Sequence, residues 1–158
     1  MKIALSIVST LRQRNQTLSV AESITGGGIS SAITDVEGAS QVFLGAVISY
    51  SRSSKERDLD IPKKLIDDFG IYSEETAIAM ARGVKNRFQS DWAVATTGVA
   101  GPGDSDGVKA GSIWVAFVGP ESEETLFLQI SGSRQQVRSG AVASLFPAFE
   151  RILGRTSS

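Results

Sequence analysis

Amphipathic helical segments alternate with short apolar strands along the first part of this 158-residue chain, and strands adjacent in sequence follow near its end. The apolar periodicity gives the order α-β-α-β-α-α-β-β-β-α, with strands predicted at 18–21, 42–49, 92–96, 112–118 and 125–130. Strands that alternate with helices in the chain usually lie parallel in a sheet, with the helices covering both of its faces. Strands that follow each other directly usually pair antiparallel. We therefore expect a single-domain, three-layer α/β/α sandwich around a mixed sheet.

Capping signals predict where several helices begin. Ser73 precedes two acidic residues, and Ser133 with Gln136 has the spacing of a capping box. The polar, charged stretch 51–60 receives no helix in the predicted order. The domain is expected to span 1–154, with a disordered tail at 155–158.

The chain contains no histidine and no cysteine, and these absences exclude whole classes of mechanism. Ser-His-Asp triads, Cys-His pairs, disulfides and metal sites with His or Cys ligands are impossible. A general base must be a lysine, a carboxylate, a tyrosine or a polarised water, and a metal ion would need oxygen ligands.

Charge and hydropathy limit the partners and the compartment. Lys and Arg number 16 against 17 Asp and Glu, so the chain lacks the basic surplus of a protein that coats nucleic acid. No apolar run reaches the roughly 18–20 residues of a membrane span. The opening run 3–8 is too short before Arg12 to predict a signal peptide. We expect a cytoplasmic protein that binds neither nucleic acid nor membrane.

A glycine-rich loop at 25–28 follows the first strand directly, where open α/β sheets bind their ligands. Glycines allow close approach of the backbone, and N–H groups at a helix start attract phosphate or an oxyanion. The loop matches neither a Walker loop nor the dinucleotide fingerprint, so ordinary loop geometry is an equal alternative. Ser23 beside it is either a nucleophile on a sharp turn or a helix cap, which an isolated serine favours.

A second loop, 97–107, holds four glycines and one proline. Two such loops at one edge of a sheet would form opposite walls of a pocket. Asp104 and Asp106 suggest a Mg²⁺ site, but Asp and Gly also form good turns, and this second explanation is favoured.

The third candidate is the segment 49–55 after the second strand. A serine can be activated by a lysine whose pKa is lowered by burial or by neighbouring cations. If Ser51 starts a helix, Lys55 lies one turn later and points back toward a serine on the neighbouring strand–helix turn. The alternative, favoured by spacing alone, is that Lys55 is a solvated member of the charged run 55–58.

Arg134 and Arg138 lie one turn apart at the start of the last helix. They either steer an anionic substrate or are ordinary surface charges. The sequence favours neither explanation.

Together these segments resemble the C-terminal domain of the CinA family, whose members include bacterial nicotinamide mononucleotide (NMN) deamidases. The similar blocks lie in order over nearly the whole chain, at 21–27, 43–55, 70–75, 79–83, 97–103, 111–115 and 132–138. An ordered series of blocks is far more specific than any single motif. The N-terminal molybdopterin-binding-like domain of longer members has no counterpart, so a stand-alone domain is expected.

The resemblance implies hydrolysis of the NMN carboxamide to nicotinate mononucleotide and ammonia by a Ser/Lys amidohydrolase mechanism, without a cofactor or metal. Ser23 would be the nucleophile and Lys55 its base, with Tyr50 and Ser51 orienting the lysine or relaying protons. Ser51 remains an alternative nucleophile. Backbone N–H groups at 25–27 would hold either the oxyanion or the substrate phosphate.

The same resemblance places substrate-binding residues in both loops and in the last helix. These residues are Glu22, Thr25, Gly26, Gly27, Thr97, Gly98, Gly101 and Arg138. The partner is a small-molecule nucleotide, and a homo-oligomer is expected from the resemblance and from the apolar content of the helices.

The chain departs from the family pattern at four places. Ile24 replaces a common cysteine, residues 52–54 read Arg-Ser-Ser for Asn-Glu-Ala, loop 101–107 replaces Gly-Pro-Asp-Gly-Gly, and 109–111 replaces Lys-Pro-Val-Gly. The second and third changes touch the expected pocket. They motivate an alternative function: a nucleotide- or phosphate-binding module of the same fold without catalysis. A third option, an Mg²⁺-dependent phosphohydrolase, needs more converging carboxylates than the sequence identifies.

Overall fold

The computed structural model describes residues 2–156 as helices on both faces of one sheet. The elements in chain order are α1 (Lys2–Gln13), β1 (Leu18–Glu22), α2 (Gly28–Thr34), a 3₁₀ turn (Ala39–Gln41), β2 (Phe43–Ile48), α3 (Arg52–Asp58), α4 (Lys63–Phe69), α5 (Glu74–Phe88), β3 (Trp92–Gly98), β4 (Ser112–Val118), β5 (Glu123–Gln129) and α6 (Arg134–Arg155). The predicted caps are confirmed: Ser73 accepts the N–H of Thr76, and Ser133 and Gln136 form a capping box.

The five strands form one mixed sheet, as predicted, and their order in the sheet is β2-β1-β3-β4-β5. β1 pairs parallel with β2 and with β3, and the last two strands are added antiparallel. Because the three parallel strands run in the same direction, the loops after Glu22, Ile48 and Gly98 all leave one edge of the sheet. β1 lies between β2 and β3 in the sheet. The helix that connects β1 to β2 packs on one face of the sheet, and α5, which precedes β3, packs on the other. α/β sheets form binding crevices at such positions.

Two apolar clusters lie on the two faces of the sheet and confirm the three-layer architecture. On one face α1, α2 and α6 bury residues such as Leu11 and Phe149, and the Phe149 ring lies 5.5 Å from that of Trp92. On the other face α5 buries Met80 and Val84 against the strands. None of the helices within residues 2–156 has the length and apolar character needed to cross a membrane.

The stretch 51–60 contains a helix, α3, that the predicted order lacks. Its sequence, RSSKERD, carries no apolar residue, so the periodicity that predicts the other helices has nothing to detect. The buried residue of this helix is Lys55. A lysine that turns inward is therefore the reason the helix was missed.

The end of the chain also differs slightly from expectation. Arg155 is the last residue of α6, and its Nη2 donates to Glu124 Oε2 at 2.7 Å. Arg155 thus belongs to the helix rather than to the predicted tail, whereas residues 157–158 lie outside the described residues. β5 begins at Glu123, two residues before the predicted start.

Candidate active site

Lys55 reaches from α3 to the carboxyl ends of β1 and β2 and is fully buried. Its Nζ donates to Ser23 Oγ at 2.9 Å, to the Ser49 carbonyl at 2.8 Å and to the Tyr50 carbonyl at 3.2 Å. The helical geometry explains this direction, because a side chain on a helix points back toward the N-terminus. The structure thus brings Lys55 to a serine, and the interpretation of Lys55 as a solvated charge is wrong.

Burial lowers the pKa of the Lys55 ammonium from its usual 10.5 to about 8. The cause is desolvation, which disfavours the charged form relative to the neutral amine. With a pKa near 8, roughly one molecule in ten carries a neutral Lys55 at pH 7. A neutral amine within hydrogen-bond distance of a hydroxyl can accept its proton.

Ser23 lies immediately after β1, at a sharp turn, and is only 4% exposed. Its carbonyl accepts the N–H of Gly26 at 3.1 Å, which closes the turn. The N-cap of α2 is Gly27 and not Ser23. The helix-cap interpretation of Ser23 is therefore wrong, and the Ser23 hydroxyl is bonded to Lys55 instead.

Ser51, the other candidate nucleophile, caps the helix that carries Lys55. Its Oγ accepts the N–H of Ser54 at 3.1 Å and lies 3.1 Å from Ser53 Oγ. Of the two serines that the sequence left open, Lys55 Nζ is hydrogen-bonded to Ser23. Ser51 instead fixes where α3 begins and so where Lys55 points.

The family departure at 52–54 forms the first turn of α3 and faces away from the Lys55 ammonium. The Arg52 guanidinium pairs with Glu56 at 2.7 Å and with Asp67, joining α3 to α4 at the surface. These charges lie outside the buried pair. The changed residues consequently leave the Lys55–Ser23 contact intact.

Glu22 has a different role from the predicted contact with substrate. Its carboxylate is fully buried and points into the start of α2. Glu22 Oε2 accepts the N–H groups of Gly27 (2.9 Å) and Ile29 (3.1 Å), and Oε1 accepts from Ser30 N (2.9 Å) and Ser30 Oγ (2.6 Å). The side chain thus supplies the negative charge that a helix N-terminus attracts, and it occupies the place where a phosphate would bind.

The glycine loop retains some backbone donors that the fold does not use. Gly26 N–H and Gly28 N–H bond to carbonyls within the loop, and Gly27 N–H bonds to Glu22, so the predicted glycine donors are occupied. No hydrogen bond within residues 2–156 uses the backbone N–H of Ile24 or of Thr25. These two donors directly follow Ser23 in the chain, where an oxyanion hole is commonly found.

Threonines join the second loop to the rest of the site. Thr25 Oγ1 lies 2.8 Å from Thr96 Oγ1, so the first loop is attached to β3 through a residue that the sequence did not single out. Thr97 is buried, and its hydroxyl donates to the Ile71 carbonyl at 2.6 Å. Gly98 leaves no room for a side chain, since a Cβ there would lie 2.5 Å from the Ser112 carbonyl oxygen. Thr97 and Gly98 therefore form part of the predicted pocket wall, and neither offers an unused side-chain hydrogen-bonding group.

Two arginines of α6 donate hydrogen bonds to the loops that follow β1, β2 and β3. Arg138 donates to the carbonyls of Ile24 (3.0 Å) and Thr25 (3.2 Å). Arg134 donates to the Gly101 carbonyl at 2.8 Å and to the exposed Tyr50 hydroxyl at 2.7 Å. Neither arginine is an isolated surface charge. The sequence pairs Arg134 with Arg138 as residues that could steer an anion, but the predicted substrate-binding residues include only Arg138.

The acidic residues of the second loop serve its turns. Asp104 Oδ1 accepts the N–H of Ala110 at 2.9 Å, and Asp106 adopts a left-handed conformation with φ of 48°. Within residues 2–156, no three acidic side chains come close enough to hold a metal ion together. The favoured interpretation of these residues as turn formers agrees with this geometry.

This protein therefore belongs to the class of three-layer α/β/α domains with a mixed five-stranded sheet. Its site is a buried serine–lysine pair at the carboxyl ends of the parallel strands. Within that class, the chain belongs to the CinA C-terminal domain family, whose model matches residues 1–153.

Curated relatives share this domain. The chain is 48% identical over 120 residues to a CinA-like protein of Synechococcus sp. (strain RCC307), covering 75% of this chain and 29% of the relative. It is 39% identical over 148 residues to a putative competence-damage inducible protein of Caldanaerobacter subterraneus, covering 93% and 36%. The chain thus spans about a third of the length of these relatives.

Solved structures match over nearly the whole chain. The competence damage-inducible protein A of Klebsiella pneumoniae superposes with a TM-score of 0.95 at 25% identity, covering 99% of this chain and 98% of that one. A competence-damaged protein (CinA) superfamily protein of Enterobacter cloacae gives 0.92 at 30% identity, covering 96% and 90%.

Proposed function

We propose that this chain hydrolyses the carboxamide of NMN to nicotinate mononucleotide and ammonia, with Ser23 as nucleophile and Lys55 as its base. The observation that carries the proposal is the 2.9 Å contact between Lys55 Nζ and Ser23 Oγ in a buried site. The choice of substrate rests on the resemblance to the deamidases of the family. The lack of histidine and cysteine agrees with a serine–lysine pair.

The reaction proceeds in two halves. In the first, neutral Lys55 takes the proton of Ser23 as Oγ bonds to the carboxamide carbon, and the carbonyl electron pair moves to oxygen. The tetrahedral intermediate then breaks its C–N bond, and the Lys55 ammonium protonates the leaving nitrogen, which departs as ammonia. In the second half, Lys55 deprotonates a water that attacks the ester on Ser23, releasing nicotinate mononucleotide and restoring the hydroxyl.

The loops and α6 would hold the rest of the substrate. The unused N–H groups of Ile24 and Thr25 are the candidates for stabilising the oxyanion. Because the Glu22 carboxylate already occupies the N-terminus of α2, the substrate phosphate cannot bind there. It needs a cationic partner elsewhere in the site. The guanidinium groups of Arg134 and Arg138, at the junction of the three loops, supply that charge.

The test is ammonia release from NMN by the purified protein with EDTA present, comparing the parent with Ser23→Ala. We expect turnover in EDTA and a loss of roughly 10³-fold or more in Ser23→Ala, because the nucleophile is removed. The matched control is Ser53→Ala, an exposed serine in the first turn of α3, which should retain activity.

Each other result has a distinct meaning. Turnover that persists unchanged in Ser23→Ala would contradict the assignment of the nucleophile. Turnover abolished by EDTA would favour a metal enzyme. No turnover in the parent, with NMN still raising the melting temperature, would favour the binding module that has lost catalysis.

A further inference from the structure

The peptide group between Ile24 and Thr25 has different surroundings on its two sides. Its carbonyl oxygen accepts a hydrogen bond from Arg138 Nε of α6 at 3.0 Å. Its N–H, which belongs to Thr25, has no acceptor within residues 2–156. Because this peptide bond is trans, the N–H and the C=O point in opposite directions. Arg138 therefore holds the peptide group from the side opposite its unused donor.

The preceding peptide group, between Ser23 and Ile24, is held in a different way. Its carbonyl accepts Gly26 N–H at 3.1 Å within the turn, and its own N–H is the second unused donor. The turn thus fixes this donor with residues that are near in the chain. In the part of the chain that the structure describes, the Ile24 carbonyl has no donor other than Arg138. The direction of the Thr25 N–H consequently depends on a residue 114 positions away from that carbonyl.

The Arg138 guanidinium is well suited to hold this loop. Its Nη2 donates to the Thr25 carbonyl at 3.2 Å, so one rigid, planar fork holds two successive carbonyls. The side chain is half-buried, and no salt bridge within residues 2–156 includes it. Its charge therefore acts on the carbonyls rather than on a carboxylate. A hydrogen bond from a cation polarises a peptide group, and this makes the N–H on the other side a stronger donor.

Gly26 makes room for the guanidinium. A Cβ at Gly26 would lie 2.9 Å from Arg138 Nη2, closer than side-chain carbons normally approach another atom. The fork therefore reaches both carbonyls only because this position has no side chain. Since Gly26 belongs to the loop and not to α6, it offers an independent way to displace the guanidinium.

We propose that Arg138 is a positioning residue of the active site, which directs the Thr25 N–H toward the oxyanion that forms on the substrate carboxamide. The inference rests on the proposed function, in which the N–H groups of Ile24 and Thr25 stabilise that oxyanion. Arg134, one turn earlier in α6, has a different position. It is exposed and donates to neither of these peptide groups.

The test compares kcat and KM for NMN in glutamine variants of three arginines of α6. Arg138→Gln should lower kcat roughly tenfold to 100-fold, because a misdirected donor stabilises the transition state less well. Arg134→Gln should instead raise KM and leave kcat within about threefold, since it removes charge that binds the phosphate. The matched control is Arg151→Gln, at an exposed position of the same helix, which should match the parent in both constants.

Two further variants separate the position of the guanidinium from its charge. Arg138→Lys keeps the charge but lacks the fork, so most of the loss of kcat should remain. Gly26→Ala keeps Arg138 but displaces its guanidinium, and it should lower kcat even if Arg138→Gln fails to fold. Its control is Gly38→Ala, which shares a positive φ (83° against 56°) but leaves 3.4 Å between the added Cβ and its nearest neighbour. That control should keep the kcat of the parent.

Crystal structures of the parent and of Arg138→Gln give a readout that needs no turnover. In the variant, the Ile24–Thr25 peptide group should be rotated from its orientation in the parent. An unrotated peptide group, a raised KM with unchanged kcat in Arg138→Gln, or full kcat in both Arg138→Lys and Gly26→Ala would overturn this inference alone, with the parent still active. A parent that releases no ammonia from NMN would overturn the proposed function, and the inference with it.

Discussion

Two glycine-rich loops leave the same edge of the sheet, but only the first is built around buried charged groups. At the first loop, the Glu22 carboxylate and the Lys55 ammonium are both fully buried and hydrogen-bonded. The connection between β3 and β4, residues 99–111, contains most of the second loop and is largely exposed. A Cβ added at Gly103 or at Gly107 would meet nothing within 4 Å. Similar glycine content therefore accompanies two different kinds of structure.

The difference in buried charge between the two loops indicates where the candidate active site lies in this fold. A charge taken out of water destabilises the folded state unless partners compensate for it. Glu22 has four donors for its two oxygens, whereas Lys55 keeps a lowered pKa. Strongly shifted pKa values are typical of functional groups. The lowered pKa of Lys55 therefore supports the proposed site beside Ser23 rather than one in the second loop.

The largest effect is expected when Lys55, the buried lysine of α3 that contacts Ser23 beside the first loop, is compared with the exposed Lys109. Lys55→Met removes the base and should reduce kcat/KM for NMN by roughly 10³-fold or more. Lys109→Met, just after the second loop, should leave kcat/KM within about twofold, because that side chain is exposed. Ammonia release measures both, with circular dichroism to verify folding. Equal losses of kcat/KM in the two variants would contradict a special role for the buried Lys55.

A smaller effect, on stability, separates the buried carboxylate of Glu22, at the end of β1, from the exposed carboxylate of Asp104 in the second loop. Glu22→Gln replaces a buried acceptor of four hydrogen bonds with an amide whose N–H₂ meets other donors, so the unfolding free energy should fall by about 3 kcal/mol. Asp104→Asn loosens one hydrogen bond at an exposed turn and should cost less than about 1 kcal/mol. Urea denaturation measures both values. A Glu22→Gln chain as stable as Asp104→Asn would show that the anchor of α2 is not needed.

The smallest effect is the pH dependence that burial of Lys55 imposes. Because its pKa is lowered to about 8, the neutral base accumulates as pH rises, and kcat/KM should increase roughly fivefold between pH 7 and 8. Above pH 8 the unfolded chain, with the usual pKa of 10.5, still binds a proton that the folded chain has lost. This group therefore makes the unfolding free energy rise from about pH 8 to 10.5. Lys55→Met should lack that rise, and an activity limb near 10.5 would contradict the burial argument.

Much of the framework was predictable from local patterns. Apolar strands and amphipathic helices appear in the predicted order because each must bury one face against the same sheet. Ser73 and Ser133 cap their helices as predicted because a cap depends only on residues within one turn. The position of loops after parallel strands also follows from chain order.

The site itself was predictable only in part. The sequence, with its family resemblance, identified Ser23 and Lys55 but left open whether Ser23 caps a helix, whether Lys55 is solvated and whether Ser51 replaces Ser23. It missed α3, because the inward-facing residue of that helix is charged and periodicity recognises only apolar faces. The family resemblance assigns Glu22 to substrate binding, and nothing local in the sequence indicates that its carboxylate turns back into α2.

The sequence by itself determined the order of the strands and of every helix except α3, the mixed sheet, the absence of histidine and cysteine chemistry, and the family. Those properties depend on composition and on contacts between near neighbours in the chain. Only the tertiary structure decided that Lys55 meets Ser23, that Glu22 fills the helix start, and that Arg134 joins Tyr50 to Gly101. Apart from the Glu22 contacts, these pairs join residues more than 30 positions apart in the chain. Their contacts therefore exist only once the parallel strands align their ends and the helices pack over them.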